Sequence, residues 1–335
     1  MTAPSARAAN GSGAAAWIQL ADERSGGHRY GEEARAAVRD LLPIAVEDIR
    51  ARGPLRPFRM QARLAAVRSG GRYDTIFLDN AAALVTSPPP VPRHVLVVLH
   101  LGAGSISRRL ERFVMRATEP LVRRHILAMH RVVTISRFWE DRIRALGHPR
   151  VETIYNGFDL DEFAVSEDDI DAFRRRHGLT KPIVYIGNCQ PAKGAPRSYE
   201  ALRDLDVHLV TSGRPVAQLP ALNINGTRRE YLELLAASAV VVTMSTFDEG
   251  WCRTAHEAML LGRPVVGSGR GGMGELLAGG AQVTCPDFRD LRGHVSRLLA
   301  DPPRAAAAGE TGRAWARTFT ADRFRSAWRT FVQSL

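Results

Sequence analysis

The sequence predicts an α/β protein built from two similar halves. Short runs of apolar and β-branched residues alternate with longer stretches of helical periodicity along all 335 residues, which is typical of parallel strands joined by crossover helices. The length suits two domains. Hydrophobic residues make up 45% and charged residues 24% of the chain, close to the globular average, which argues against a disordered or fibrous protein.

Five strands are predicted in the first half, each from a run of apolar or β-branched residues. The run AWIQL at 16–20 gives the first, and TIFL within 74–79 and VLVV within 94–101 give two that should be buried. The runs VVTI within 131–135 and VETIY at 151–155 complete this set. The spacing between the runs leaves room for a helix after most of the strands.

Five further strands follow in the second half. They are predicted at 182–187, 207–211, 239–244, 264–267 and 282–284, where Val and Ile dominate. Neither half repeats the sequence of the other, so we expect them to share architecture only. In sheets of this kind, ligands bind beyond the carboxyl ends of the strands, so the loops that follow strands are where functional residues should lie.

The predicted domain boundary lies near residue 160. Residues 162–178 begin acidic, contain few strand formers and indicate a linker that runs into a helix. We expect a disordered start at 1–14, a first domain at 15–160 and a second at 161–319. Residues 320–335 carry an aromatic helical pattern, which predicts a terminal helix that packs back onto the first domain.

The positive charge of the chain is concentrated in one stretch. The formal net charge is +11, and residues 101–150 contain 11 Arg against 4 acidic residues. Arg108, Arg112 and Arg116 would share one face of a helix. One interpretation is a solvated face, and the other is a surface that contacts anionic lipid or a phosphorylated acceptor. A nucleic-acid partner is not expected, because no stacking aromatics are interleaved with these arginines.

The sequence indicates neither a membrane span nor structural cysteine chemistry. No apolar run approaches the ~20 residues of a spanning helix, and the start lacks the pattern of a signal peptide. Cys189, Cys252 and Cys285 are odd in number and form no CxxC pair, which supports neither a disulfide framework nor a zinc cluster. We therefore expect a cytoplasmic protein, with peripheral contact at the inner face of the membrane as an alternative.

The most informative segment is residues 245–259, STFDEGWCRTAHEAM. Glu249 would lie in the loop after a buried strand, and Glu257 about one turn inside the helix that begins near Arg253. A helix N-terminus offers backbone N–H groups to a phosphate, and carboxylates accept hydrogen bonds from sugar hydroxyls. The segment therefore predicts a site for a sugar diphosphate. The alternative is that the two glutamates are a capping residue and a solvated helix residue.

The same segment resembles the E-x7-E signature of retaining family 4 glycosyltransferases with the GT-B fold, in which two Rossmann-like domains face each other across a cleft. The trailing Gly-x-Pro-Val-Val strand and Gly-Gly-x-x-Glu loop also match. Further matches occur in the right order along the chain: Gly26-Gly27 after the first strand, His100 at a strand end, 133–136, 154–159, and 183–187 followed by Lys193-Gly194.

This resemblance implies a reaction and a set of site residues. A sugar would move from a nucleoside diphosphate sugar, with UDP the first candidate and GDP the second, to a hydroxyl of a small molecule, a glycan or a lipid-linked acceptor. Configuration would be retained, with no metal and no further cofactor. Glu249, Lys193 and His100 would be catalytic, with Lys193 on the leaving diphosphate and Glu249 on the sugar hydroxyls. The donor-binding set would add Gly26, Gly27, Asn188, Gly250, Trp251, Cys252, Arg253, Thr254 and Glu257, the last on the ribose.

Two positions differ from the family pattern. Asn188 stands where the family usually has arginine, and Cys252 stands where it has a second glycine. Arg253 or Arg197 could supply the missing cation. Two other functions stay open: a GT-B nucleotide-sugar epimerase, and a non-catalytic module that binds a sugar nucleotide or a partner, which the differences at Asn188 and Cys252 favour.

Two competing motifs carry less weight. Asp159-Leu-Asp161 imitates an Asp-x-Asp metal site but falls at the predicted hinge. Gly102-Ala-Gly104 follows a strand as a dinucleotide fingerprint would, but the next strand ends at Ser136 without the acidic residue that binds a ribose.

Overall fold

The first half forms one parallel sheet. The computed structural model describes residues 14–19, 26–51, 56–79, 93–101 and 119–335, and residues 1–13 of the predicted disordered start lie outside them. The strand order is β2-β1-β3-β4-β5-β6. The strands are β1 (Ala15–Gln19), β2 (Ile44–Asp48), β3 (Thr75–Asp79), β4 (Arg93–Val98), β5 (Arg131–Thr134) and β6 (Val151–Thr153). The helices described in this half are α1 (Gly26–Val38), α2 (Arg56–Ser69), α3 (Glu119–Leu127) and α4 (Arg137–Ala145).

The second half forms another parallel sheet, with the order β12-β11-β10-β7-β8-β9. Its strands are β7 (Ile183–Asn188), β8 (His208–Ser212), β9 (Leu222–Ile224), β10 (Ser238–Thr243), β11 (Val265–Gly267) and β12 (Val283–Thr284). Its helices and the terminal ones are α5 (Glu167–Arg176), α6 (Ala195–Leu202), α7 (Arg228–Ala237), α8 (Arg253–Leu260), α9 (Gly272–Gly279), α10 (Phe288–Ala300), α11 (Pro302–Ala316) and α12 (Ala321–Gln333). Short 3-10 turns cover Leu160–Phe163 and Pro191–Lys193.

Each sheet has one point where the strand order reverses. The chain runs outward from β1 to β2 and returns to place β3 on the other side of β1, and it does the same from β7 through β9 before β10. At such a point the two following loops diverge and leave a crevice at the carboxyl ends of the strands. The loops after β7 and β10 therefore border the expected ligand position in the second half.

The ten predicted strands are present, with ends that differ by up to three residues from the prediction. Two strands were missed, β2 and β9, and both lie at sheet edges. Strand β2 has the mixed sequence IAVED and is only partly buried, and β9 has three residues. An edge strand pairs on one side and needs less apolar surface, so its sequence signal is weaker.

Helix α12 packs across the first sheet. Trp328 is 0% exposed, and its ring centroid lies 6.1 Å from those of Trp17 and Tyr30 and 6.2 Å from that of Phe77. Aromatic rings at this spacing add edge-to-face attraction to their burial. The last helix of the chain is therefore part of the core of the first half.

His256 on α8 lies inside an aromatic cluster between the two halves. It stacks on Phe158 at 4.1 Å, its Nδ1 accepts a hydrogen bond from Trp251, and its Nε2 faces the Ala316 carbonyl at 3.1 Å. These two contacts assign the proton to Nε2. Burial is the main reason that the pKa of His256 is lowered to about 3, so the ring is neutral in the folded protein.

This neutral histidine predicts acid sensitivity. Below its ordinary pKa of ~6.5, the unfolded chain binds a proton at His256 that the folded chain does not, so the free energy of unfolding falls as pH drops. The expected contribution is about 1.4 kcal/mol per pH unit between roughly pH 5.5 and 4. Urea denaturation from pH 7.5 to 4.5 should show this slope reduced in His256→Gln but unchanged in the control His294→Gln. Equal slopes in His256→Gln and the original chain would contradict the assignment.

Candidate functional site

The loop between β10 and α8 is held rigidly around Glu249. Glu249 and Gly271 form an isolated parallel bridge: the Glu249 N–H donates to the Arg270 carbonyl at 3.3 Å, and the Gly272 N–H donates to the Glu249 carbonyl at 2.8 Å. The indole of Trp139 on α4 donates to the same carbonyl at 2.9 Å. With its backbone fixed on two sides, Glu249 is 6% exposed and its side chain has a defined direction.

Lys193 and Glu249 meet at the carboxyl edge of the second sheet. The Lys193 Nζ lies 2.6 Å from Glu249 Oε1, and the Ser245 hydroxyl donates to that same oxygen. Gly194, at φ 76°, allows this turn to pass the loop after β10, because a Cβ there would lie 2.1 Å from the Met244 carbonyl oxygen. The sequence predicted that both residues lie in loops that follow strands, and the structure brings their charged groups into contact.

The lysine of this pair is firmly protonated. Burial opposes its charge, but the Glu249 carboxylate outweighs that effect, so the pKa of Lys193 is raised above its ordinary value. The ammonium also lies 5.0 Å from the centroid of the Phe247 ring. The site therefore contains a fixed cation next to a carboxylate. The side chain of Lys193 keeps 32% of its surface exposed.

Of the predicted site residues in the first half, His100 lies near Lys193 and Glu249. His100 follows β4, and its ring centroid lies 5.8 Å from that of Phe247. The pKa of His100 is lowered, mainly because the ring is buried. The Glu249 carboxylate opposes this effect and the Lys193 ammonium adds to it, so the ring is neutral at pH 7. Gly26 and Gly27 are the first two residues of α1, which follows β1. Residues 20–25 between them lie outside the described part.

The two halves touch at Gly250. A Cβ added to Gly250 would lie 1.6 Å from the carbonyl oxygen of Leu99, which follows β4. On the neighbouring side, the Arg137 backbone N–H donates to Glu275 at 2.9 Å, and the Tyr155 hydroxyl donates to the other oxygen of that carboxylate. Together, these contacts set how closely the two halves approach each other beside Glu249.

Four predicted donor-binding side chains have other partners. The Asn188 amide oxygen accepts from the hydroxyls of Tyr185 and Ser212 at 3.2 and 3.0 Å. Trp251 is 4% exposed and points into the aromatic cluster, so only its backbone borders the loop. Burial raises the pKa of the Cys252 thiol to about 12, and that thiol is neutral at physiological pH. The hydroxyl of Thr254 accepts from Tyr231 at 3.1 Å.

The contacts of the Arg253 side chain do not include Lys193. Its guanidinium covers the Phe158 ring at 4.7 Å and donates to the Asn156 amide oxygen at 3.0 Å. Both partners belong to the passage between the halves. Arg197, the other residue expected to replace the missing cation, lies on a separate pocket wall with Ser245.

Glu257 belongs to a closed ring of alternating charges, which we call the Arg/Glu ring. Successive members lie 2.8, 3.9, 3.9, 3.0, 2.9 and 3.3 Å apart. The ring joins α1, the turn Leu160–Phe163, α7 and α8. Its members, in order, are Arg29, Glu33, Arg253, Glu257, Arg228 and Glu162.

The ring holds Glu257 at its most buried position. The side chain of Glu257 is 6% exposed, whereas that of Arg228 is 33% exposed. Burial opposes the charge of Arg228, but Glu257 and Glu162 outweigh it and raise the pKa of that guanidinium. Spacing arguments found Glu257 but missed Arg228 and Glu162, because these partners come from distant helices and carry no local signal.

Several predicted features carry no site in the described residues. Asp159 caps the turn Leu160–Phe163 by accepting from the Asp161 N–H at 3.2 Å. In the described ranges, no group of three or more His, Cys, Asp or Glu is arranged to hold a metal. No helix among those ranges is long and apolar enough to cross a bilayer. The dinucleotide-like glycines and the basic face fall outside the described residues, namely Gly102, Gly104, Arg108, Arg112 and Arg116.

Comparison with known proteins finds sequence likeness over part of the chain. A family model described as "Glycosyl transferases group 1" matches residues 180–301. The MMP alpha-(1->4)-mannosyltransferase of Mycolicibacterium hassiacum is 30% identical over 186 residues, which cover 46% of this chain and 45% of that protein. The GDP-mannose-dependent alpha-(1-6)-phosphatidylinositol monomannoside mannosyltransferase of Mycolicibacterium smegmatis is 28% identical over 223 residues, 55% of this chain and 57% of that protein. The chain thus matches about half the length of these curated relatives.

Solved structures match nearly the whole chain. HepE of Anabaena, in complex with UDP and glucose, has a TM-score of 0.75 at 20% identity and covers 96% of this chain and 100% of its own. Sucrose-phosphate synthase from Thermosynechococcus elongatus has a TM-score of 0.77 at 17% identity, with 96% and 98% coverage. At this identity the likeness concerns the fold alone. The predicted fold class is confirmed: the chain has the GT-B fold, with two Rossmann-like α/β halves.

Proposed function

We propose that this protein is a glycosyltransferase that moves a sugar from a nucleoside diphosphate sugar to an acceptor hydroxyl, with retention and without a metal. The observation that carries the proposal is the contact of Lys193 with Glu249 at the reversal point of the second sheet. A cation suits the leaving diphosphate, and a fixed carboxylate suits the sugar hydroxyls. The matched family model and the two mannosyltransferase relatives support the same reaction class.

Each site residue has a role in this proposal. The diphosphate lies against Lys193 and the N-terminus of α1, where Gly26 and Gly27 let the backbone approach. Glu249 accepts hydrogen bonds from the sugar, and Glu257, held by Arg228, accepts from the ribose hydroxyls. Because burial lowers the pKa of His100, its neutral ring offers a hydrogen bond at the acceptor side without adding charge.

The bond changes balance without an added cofactor. The acceptor oxygen bonds to the anomeric carbon on the face from which the diphosphate departs, and the bond from that carbon to the phosphate oxygen breaks. The departing phosphate takes the acceptor proton. Negative charge that develops on the diphosphate is stabilised by the Lys193 ammonium, and fixed charges of this kind typically contribute ~10²–10³ in rate.

Product analysis tests this function. The chain is incubated with UDP-glucose or GDP-mannose, the donors suggested by the named neighbours, together with sugar, polyol and lipid-linked acceptors, with and without EDTA. We expect release of nucleoside diphosphate and an α-linked product from the α-linked donor, unaffected by EDTA. An inverted linkage, a requirement for metal, or nucleotide binding with no transfer to any acceptor would contradict the proposal.

Removing Lys193 should weaken the binding of diphosphates in particular. Hydrogen bonds to charged groups contribute ~1.5–3 kcal/mol, so Lys193→Ala should raise the Kd for UDP or GDP by roughly 10- to 100-fold. The Kd for UMP or GMP should change much less. Titration calorimetry measures both, and Lys181→Ala serves as a control, since Lys181 is the other lysine of the chain and pairs with Asp206 at 2.5 Å. An equal loss of affinity for monophosphates and diphosphates would show that Lys193 does not contact the diphosphate.

A further inference from the structure

A pocket adjoins the site on the side of β11 and β12. Its volume is about 310 Å³, and its walls come from the loops that follow β10, β11 and β12 and from α6. Ser245 lines this pocket, and its hydroxyl donates to Glu249. The pocket is therefore one side chain away from the proposed sugar position.

Two guanidinium groups give the pocket its charge. Arg197 and Arg270 both line it and are both exposed to solvent. The Arg197 guanidinium lies over the Phe288 ring at 3.9 Å, which orients it without using its hydrogen-bond donors. Within the described residues, no carboxylate lies within 4 Å of the charged group of either arginine. Their donors are thus available to a ligand.

The acidic residue of the pocket is already neutralised. Asp287 receives two hydrogen bonds from the Arg289 side chain, at 2.6 and 2.9 Å, and one from its backbone N–H at 2.9 Å. Arg289 lies outside the pocket lining and offsets the charge of Asp287, which also interacts electrostatically with Arg197. The lining itself contains two arginines and one aspartate, so its formal net charge is +1.

Hydroxyl groups line the same space. Thr246 and Ser268 line the pocket together with Arg270; the Thr246 hydroxyl donates to the Ala192 carbonyl at 3.1 Å, and the Ser268 hydroxyl makes only a weak contact of 3.7 Å with the sulfur of Met273. Guanidinium forks combined with hydroxyls are the groups that bind phosphate oxygens most effectively in proteins. A volume of about 310 Å³ accepts a phosphate together with part of the molecule that carries it.

We propose that this pocket binds a phosphate monoester dianion between Arg197 and Arg270, next to the donor site. The phosphate is carried by the acceptor or is free in solution, and only the acceptor version rests on the proposed transfer. In this assignment Arg197 binds the phosphate monoester, whereas Lys193 binds the diphosphate of the donor. The assignment therefore predicts two anion sites that respond to different substitutions.

Calorimetric titration of the full chain separates these sites. The probes are inorganic phosphate, a hexose 6-phosphate and the unphosphorylated hexose, each in the presence of UDP or GDP. Arg197→Ala and Arg270→Ala should each weaken phosphate binding at least 10-fold, and the double variant should abolish it. The Kd for the nucleoside diphosphate should stay within 2-fold, as it should in the control Arg292→Ala, an arginine of α10 that pairs with Asp204 instead.

The outcomes distinguish the possibilities. Hexose 6-phosphate binding that is 10-fold tighter than that of inorganic phosphate would assign the site to an acceptor, and equal binding would assign it to free phosphate. Phosphate affinity that is unchanged in the double variant would overturn the proposal. A parallel loss of nucleoside diphosphate binding would also overturn it, by making this pocket part of the donor site. Since binding alone is measured, absence of sugar transfer leaves these results interpretable.

Discussion

Replacing Glu249 with glutamine should reduce sugar transfer by about 10²–10³-fold while the protein remains folded. The variant keeps the shape of the side chain but removes the charge that faces Lys193 at 2.6 Å. The backbone of residue 249 stays fixed, because the bridge to Gly271 and the bond from Trp139 involve only main-chain atoms of this residue. The sugar would then lose its strongest acceptor at a position that cannot shift to compensate.

The matched control for this prediction is Glu233→Gln. The side chain of Glu233 on α7 is 8% exposed, the same fraction as that of Glu249, and it pairs with Arg229 at 3.2 Å away from the site. Initial rates of nucleoside diphosphate release in the presence of acceptor measure the effect, and circular dichroism checks the fold. Turnover in Glu249→Gln equal to that of the original chain would show that the carboxylate takes no part in the reaction.

Gly250→Ala should lower transfer by at least 100-fold for a steric reason. The new Cβ would meet the Leu99 carbonyl oxygen at 1.6 Å, far inside van der Waals contact, and neither backbone segment can yield without moving its strand. The halves would have to separate, which would move His100 away from Lys193 and Glu249. Misplacement by about 1 Å is enough to cost ~10² in rate.

Small-angle scattering and activity together test this clash. The radius of gyration should increase in Gly250→Ala, and the rate should fall. Gly293→Ala is the control, since a Cβ at this helical position meets nothing within 4 Å; this change should raise stability by up to ~1 kcal/mol. Full activity and an unchanged radius in Gly250→Ala would contradict the proposed contact between the halves.

The arrangement of Lys193 and Glu249 illustrates what the sequence was able to predict. Each residue follows an apolar run that was recognisable as a buried strand, and adjacent parallel strands bring their following loops to one edge. Local patterns placed each residue in a loop after a strand, and the family resemblance assigned both residues to one site. The same reasoning identified the strands of both sheets except β2 and β9, whose edge positions need little apolar sequence.

The Arg/Glu ring could not be predicted from the sequence. Arg29 and Glu162 are separated by 133 residues, and Glu162 and Arg228 by 66. In a chain with 46 basic residues, nothing local distinguishes these arginines from solvated ones. Their pairing depends on the angle at which α1, α7 and α8 meet, which is a property of tertiary packing. The contact of Trp139 with the Glu249 carbonyl was missed for the same reason.

The most direct test of the proposed sugar-nucleotide site is a thermal-shift comparison of UDP, GDP, ADP, TDP and NAD at matched concentrations. A ligand at ~100 times its Kd stabilises the folded state by ~2.7 kcal/mol. We predict that UDP or GDP raises the Tm selectively and that Lys193→Ala reduces this shift to roughly half or less, while Lys181→Ala keeps it. No shift with any nucleoside diphosphate, or a shift with NAD alone, would contradict the account.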